Sequence, residues 1–161
     1  MEHITVKTTA NQKDSFAVRK AVFIEEQGYE NEFDEIDNIC DYVTVYYDGQ
    51  LAGTGRFFPS DEEGTFAFGR IAVLREFRNR HLGAIILSEL EKAARARGGK
   101  CAVLLSQEYA IGFYEKSGFS LCDTKVVYDE GQPHRRMKKF FKKFQNNTCN
   151  LFHNALYYLS T

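Results

Sequence analysis

Between Phe77 and Gly99 the chain reads FRNRHLGAIILSELEKAARARGG. Leu82, Ile85, Ile86, Leu87, Leu90, Ala93 and Ala94 recur there at helical spacing, and Gly98-Gly99 ends the pattern. Ahead of this helix, TFAFGRIAVL reads as a strand whose second half has few polar residues. Behind it, KCAVLLS is a short apolar run that suits a buried strand beside a helix-covered sheet. The turn into the helix carries Arg78, Arg80 and His81, at an end whose dipole favours anions and repels cations. Either these side chains point into water or an anion sits between them and the helix. A strand, a turn with free backbone N–H groups and a long helix form an anion cradle. Gly83, lacking Cβ, lets a ligand approach the backbone, and Arg78 and Arg80 can each grip phosphate as a bidentate fork. A plain turn with solvated arginines stays open at this level, because a glycine-and-arginine turn is a weak motif. It is not a Walker A loop, and GTGR at Gly53–Arg56 has no helix after it, so it is not a dinucleotide fingerprint.

The remaining segments extend the same pattern. HITVKTT reads as a first strand, and NQKDSFAVRKAVFIEEQGY as a helix ending near Gly28. ENEFDEIDNICD is an acidic loop, expected to be mostly solvated. YVTVYYDGQLAGTGRFFP is a hairpin turning at Asp48-Gly49, with a second turn near SDEEG. QEYAIGFYEKSG is a short helix ending at Gly118, and FSLCDTKVVYD and HRRMKKFFKKF are final strands around the turn EGQP. The expectation is an α/β (α+β) fold: one domain over residues 1–144, with a mixed, mostly antiparallel sheet of six to seven strands and about four helices. Residues 145–161 form a C-terminal extension of no assigned role.

Composition narrows the classes of function. A chain of 161 residues with 43% hydrophobic and 27% charged residues buries a core without staples. Its net charge of −1 gives no global field for nucleic acid, so any anion binding is local. Cys40, Cys101, Cys122 and Cys149 make no CxxC pair or metal spacing, and no metal is expected. No signal peptide and no membrane-length apolar run is read, so a cytoplasmic protein with reduced thiols and no membrane partner is expected.

Two segments carry a resemblance. GRIAVLREFRNRHLGAIILSELEKAARARGG resembles the acetyl-CoA-binding segment of the GNAT superfamily of N-acetyltransferases, whose pattern is Arg/Gln-x-x-Gly-x-Gly/Ala after a strand. Here it runs from Arg78 through Gly83 and Ala84, with His81 where the first glycine stands. SQEYAIGFYEKSGF resembles the family's second segment, and both lie in the expected order over about residues 69–119. The flanks VFIEEQGY…DEID and GQPHRRM resemble the YjcF/ElaA-like branch. The resemblance implies a splayed strand pair holding acetyl-CoA as co-substrate. Backbone groups of Ile71, Ala72 and Val73 would pair with the pantetheine arm. Arg78, Arg80, His81, Leu82, Gly83 and Ala84 would hold the pyrophosphate. Gln107 would contact the pantetheine or another part of the cofactor, and Tyr114 would be the general acid beside the sulfur.

Acetyl transfer to an amine needs a proton acceptor, a donor for the oxyanion and a proton for the thiolate. A backbone N–H near Val73 serves the second and Tyr114 the third. Base candidates are scattered over Asp34, Glu35, Asp37, Glu25, Glu26 and His134; the last three are placed as substrate-binding residues. The leading reading is an acetyl-CoA-dependent N-acetyltransferase acting on a small or peptidic amine, with a homodimer left open. Two alternatives stand beside it. One is a non-catalytic CoA-binding regulatory module. The other is a nucleic-acid binder using Arg135, Arg136, Lys138, Lys139, Lys142 and Lys143, against which the slightly acidic chain weighs.

Overall fold

The computed structural model describes residues 1–142. Eight strands lie among them: β1 (Ile4–Thr9), β2 (Asp41–Tyr47), β3 (Gln50–Pro59), β4 (Thr65–Val73), β5 (Cys101–Gln107), β6 (Ser120–Leu121), β7 (Val127–Asp129) and β8 (Gln132–Phe140). Three α-helices accompany them: α1 (Lys13–Arg19), α2 (Leu82–Ala96) and α3 (Ile111–Lys116). The residues group into two compact units: Met1–Phe58 with Arg70–Ala93, and Pro59–Gly69 with Ala94 onward.

In the first unit the strands run β1-β2-β3-β4, with β1–β2 and β2–β3 antiparallel and a bulge at Val45/Tyr46. The hairpin turns at Asp48 and Gly49, both at positive φ (46° and 80°), as a two-residue connection demands. The GTG of β3 serves packing. A Cβ on Gly53 would stand 2.9 Å from the Ala72 carbonyl oxygen, and one on Gly55 would stand 2.8 Å from Ile86. These glycines therefore let β4 and α2 close on β3. Val18, Val22 and Ala72 form a core cluster with Phe23, Leu51 and Leu74 packed on it, seating the first helical segment against β4.

In the second unit β5 pairs with β8 antiparallel, and β6 and β7 both pair with β8. The first half of β4 pairs with β5 in parallel over Thr65–Ala67 and Cys101–Val103, where that ladder ends. Phe68, Leu104, Phe119 and Met137 are buried there.

Three expectations change. The sheet has eight strands instead of six or seven, because the FSLCDTKVVYD stretch breaks into β6 and β7 at a turn where Asp123 accepts the Lys125 N–H. The first helix does not stay α-helical. Lys20–Glu26 is a π-helix, with Gln27 N–H donating to the Val22 carbonyl five residues back. The acidic segment is only partly solvated, because Glu32 and Asp37 are buried (5% and 6% exposed).

A buried ion network explains that burial. Arg19, fully buried, donates Nη1 and Nη2 to the two Asp37 oxygens at 2.6 and 3.0 Å and Nε to Glu32 at 2.8 Å. Its guanidinium lies between the Phe16 and Phe33 rings, 5.0 and 5.1 Å from their centroids. Arg56, also fully buried, grips Asp34 at 2.7 and 2.9 Å and reaches Asp37 at 3.0 Å. Arg70 meets Glu32 at 3.1 Å and Asp34 at 3.3 Å. Three guanidiniums thus neutralise three carboxylates, and Tyr42 adds a hydroxyl to Asp37. The acidic run is a structural clamp, so Asp34 and Asp37 are not free bases.

Candidate functional site

β4 is irregular where the site begins. Arg70 sits at φ +51° inside the strand, a left-handed value that a non-glycine residue rarely adopts. Ile71, Ala72 and Val73 follow it, beyond the end of the β4–β5 ladder, with Ala72 buried and its neighbours half-buried. The chain then makes a 3-10 turn (Arg75–Phe77) and reaches the segment Arg78–His81. Asn79 and His81 both have positive φ, 63° and 58°. Two such residues flanking Arg80 cost on the order of 1–3 kcal/mol each and persist where the surroundings hold them. Alternation of this kind aims successive N–H groups at a common point, an anion-binding concavity.

α2 starts immediately after, and its 15 residues give the turn a full helix dipole. Leu82 is buried and anchors the start, Gly83 is half-buried, and Ala84 is exposed. Position 81 thus has the backbone conformation a glycine adopts freely, yet carries an imidazole.

The two arginines are engaged within the protein. Arg78 donates Nη1 and Nη2 to Glu26 at 2.6 and 2.8 Å, and Nε to the Val73 carbonyl at 3.0 Å. Arg75 adds a longer pair to Glu26 at 3.6 Å. Hydrogen bonding from Arg78, above all, holds the Glu26 carboxyl below its ordinary range. Arg80 lies over the Tyr47 ring, 4.5 Å from its centroid. The π-helix aims its two acids differently. Glu26 faces Arg78, whereas Glu25 points outward, 61% exposed and 3.9 Å from Lys20 five residues earlier. Ala21, Val22, Glu25, Glu26, Leu74, Arg75 and Glu76 line a cavity of about 310 Å³.

In the second unit, Gln107 ends β5 and is paired in register with His134 of β8. His134 is buried, and its Nδ1 is 2.9 Å from the Gln132 carbonyl oxygen. Tyr114 on α3 is buried, edge-on to Phe113 and Phe119 at 5.1 and 6.0 Å. Burial raises its phenol pKa, so the hydroxyl stays protonated at neutral pH. The basic cluster on β8 is half-buried and partly paired. Arg135 stands 3.9 Å from Glu108 and bonds the Asp123 carbonyl at 2.9 Å, and Arg136 is 3.9 Å from the Asp123 carboxylate. Lys143 lies outside the described residues, as does the extension that follows it.

Cys40, Cys101 and Cys122 are thiols outside any disulfide; burial pushes the Cys40 thiol up and Cys122 up to about 11, so neither of these two is a thiolate at neutral pH. No group of three or more metal-ligating side chains occurs among the described residues. No helix among them is long and apolar enough to cross a membrane.

The ion pair of Arg78 with Glu26 has no local signal in the sequence, because the two residues are 52 positions apart. Asn79 carries a weak signal of its own, since asparagine tolerates left-handed backbone better than most residues.

The family model described as acetyltransferase (GNAT) family matches residues 10–119. YjcF of Bacillus subtilis, named an uncharacterized N-acetyltransferase, is 36% identical over 141 residues, which is 86% of this chain and 99% of that protein. The structure of ElaA from Escherichia coli superposes with a TM-score of 0.75 at 21% identity, covering 85% of this chain and 99% of the other. A GNAT family acetyltransferase from Elizabethkingia anophelis, solved with acetyl-CoA bound, superposes at 0.67 with 17% identity, covering 86% and 98%.

Proposed function

Because the chain belongs to the acetyltransferase (GNAT) family, we propose that it moves an acetyl group from acetyl-CoA to a primary amine, by direct attack in a ternary complex. The observation that carries this reading is the left-handed pair Asn79 and His81 at the start of α2, a strained concavity whose fitting occupant is a phosphate. The relative solved with acetyl-CoA bound supports the same ligand.

Acetyl-CoA supplies an activated thioester carbonyl. The chain's residues bind and orient it. Backbone N–H groups of His81, Leu82, Gly83 and Ala84, with Arg78 and Arg80, hold the pyrophosphate. Ile71, Ala72 and Val73 pair with the pantetheine arm along the part of β4 that β5 leaves unpaired, and Gln107 adds an amide. A backbone N–H at Val73 donates to the acetyl oxygen as negative charge develops on it. Tyr114 would give its phenolic proton to the departing thiolate, and the proton that the amine nitrogen sheds would pass to a base or a water path. Glu25, Glu26 and His134 border the acceptor, which is a small or peptidic amine in a cytoplasmic setting; nucleic acid and membrane are not partners in this reading. A screen that follows free CoA release over amines, amino acids and peptides tests the activity. No release over any acceptor, together with CoA binding in calorimetry, would favour a regulatory CoA-binding module instead.

Tyr114→Phe keeps the ring and its packing on Phe119 but deletes the hydroxyl. General acid catalysis is worth about 10²–10⁴-fold, and water substitutes in part, so kcat should fall by about 10² with acetyl-CoA affinity nearly unchanged. An equal loss in kcat/KM places the hydroxyl in the transition state. A native rate would reduce Tyr114 to a packing aromatic.

His81→Gly relieves a left-handed non-glycine residue. A gain of about 1 kcal/mol is expected, read as a rise in Tm of about 2–4 °C. CoA should bind at least as tightly as before. A tenfold loss, about 1.4 kcal/mol, would show that the imidazole itself holds phosphate.

A further inference from the structure

Glu26 occupies Arg78 in the way a phosphate would. Both oxygens of the carboxylate accept from the two Nη groups, at 2.6 and 2.8 Å, in the fork geometry that Arg offers to planar or tetrahedral oxyanions alike. The remaining N–H edge is committed as well, since Nε donates to the Val73 carbonyl at 3.0 Å. A single guanidinium cannot give the same two-point grip to Glu26 and to a pyrophosphate. Val73 ends β4, and its carbonyl is one of the backbone groups assigned above to the pantetheine arm. The Arg78 side chain therefore lies across one cofactor-binding group while its own charge is spent on a carboxylate.

The π-helix gives this arrangement its geometry. Glu25 and Glu26 are neighbours, yet Glu25 reaches Lys20 and Glu26 reaches Arg78 and Arg75. Glu26 also lines the cavity of about 310 Å³ floored by Ala21, Val22 and Leu74. A carboxylate at that wall attracts a cationic amine only when it is not already neutralised by Arg78.

We propose that Glu26 is a carboxylate placeholder for phosphate on Arg78, so that cofactor binding takes Arg78 from Glu26 and thereby readies the carboxylate for the amine. The inference rests on the acetyl-CoA reading given above. The exchange swaps one ion pair for another and needs no change in net charge within the pair. It makes the order of binding cofactor first, amine second, because the amine's partner is released by the cofactor. Toward the cofactor Glu26 acts through Arg78, as a positioning residue; toward the amine it acts directly, as a binding carboxylate.

Calorimetry with CoA on the full chain, with folding checked by thermal unfolding, provides the test. Glu26→Gln removes the competing charge, so CoA should bind about three- to fivefold tighter, the scale of an exposed ion pair. Glu26→Asp keeps a carboxylate and should return affinity toward the native value. In an Arg78→Ala background, Glu26→Gln should leave CoA affinity unchanged, because the competition then has no object. Unchanged or weaker CoA binding by Glu26→Gln, with the native chain binding normally, overturns the placeholder and leaves the acetyl-CoA reading intact. Failure of the native chain and every variant to bind CoA overturns both.

Discussion

Arg19→Met is expected to lower the stability of the chain by about 3–5 kcal/mol, the scale of breaking a buried ion network by removing one partner. The methionine stem can still lie between Phe16 and Phe33, so the loss comes from charge. Without Arg19, Glu32 keeps Arg70, and Asp37 keeps Arg56 and Tyr42. Urea unfolding followed by circular dichroism reads the loss; a change under about 1 kcal/mol, the ordinary size for an uninvolved site, would mean that the network contributes little.

The same network sets a pH dependence. Burial pushes the Asp37 carboxyl up, but the Arg19 fork, the Asp34 N–H and Arg56 outweigh it and pull the value down to about 2. The folded value is thus below the unfolded one. Its stabilisation is complete above the ordinary aspartate range and is lost as pH falls through about 2. The loss amounts to about 2 kcal/mol, spread over about pH 4 to 2. Glu32, whose carboxyl burial pushes up, has the opposite sign: its contribution becomes more favourable as pH falls toward the ordinary glutamate range, ahead of the Asp37 decline. In Arg19→Met the acid decline should be flatter, because the largest source of the Asp37 depression is gone.

Gly83→Asp is expected to abolish acetyl-CoA binding while the chain stays folded. The two effects have separate causes. A carboxylate in the first turn of α2 is favourable to the helix dipole, and any residue but proline relieves glycine's entropy there. Yet the same carboxylate stands where phosphate oxygens must converge, and its Cβ blocks close approach of the backbone. Losing two or more charge-assisted hydrogen bonds at about 1.5–3 kcal/mol each corresponds to at least about 10²–10³-fold in Kd. Calorimetry with acetyl-CoA decides this, and Gly83→Ala, which adds only the methyl group, should fall between. An unchanged Kd for Gly83→Asp would remove the α2 turn from the binding site.

What could be read from the sequence is what local pattern encodes. The stripe from Leu82 to Ala94, the Asp48-Gly49 turn and the apolar run at Cys101 each announce their element within a few residues. The turn at Arg78–Gly83 was legible for the same reason, as a strand end, cations and a helix start in succession. The hidden features are long-range. The acidic segment looks like a solvated loop because its partners, Arg19, Arg56 and Arg70, lie 13 to 38 residues away. Arg70 gives no sign that its backbone turns left-handed, since nothing in GRIAV breaks the strand pattern. The π-helix is silent too, because an apolar stripe drawn for i→i+4 winding survives one turn of i→i+5 winding.

That π-helix makes the segment a vernier between two fixed marks. Arg19 is pinned on one side by Asp37 and Glu32, and Glu26 is pinned on the other by Arg78. Seven positions apart, the two would lie along a single stripe of an α-helix. The wider winding between them turns one away from the other, so each meets its own partner. The wider winding therefore absorbs one residue: deletion of one residue from Lys20–Glu26 would let the helix wind normally and leave the two six positions apart, again off a common stripe, so the clamp at Arg19 and the pairing at Glu26 would both persist on a shorter helix.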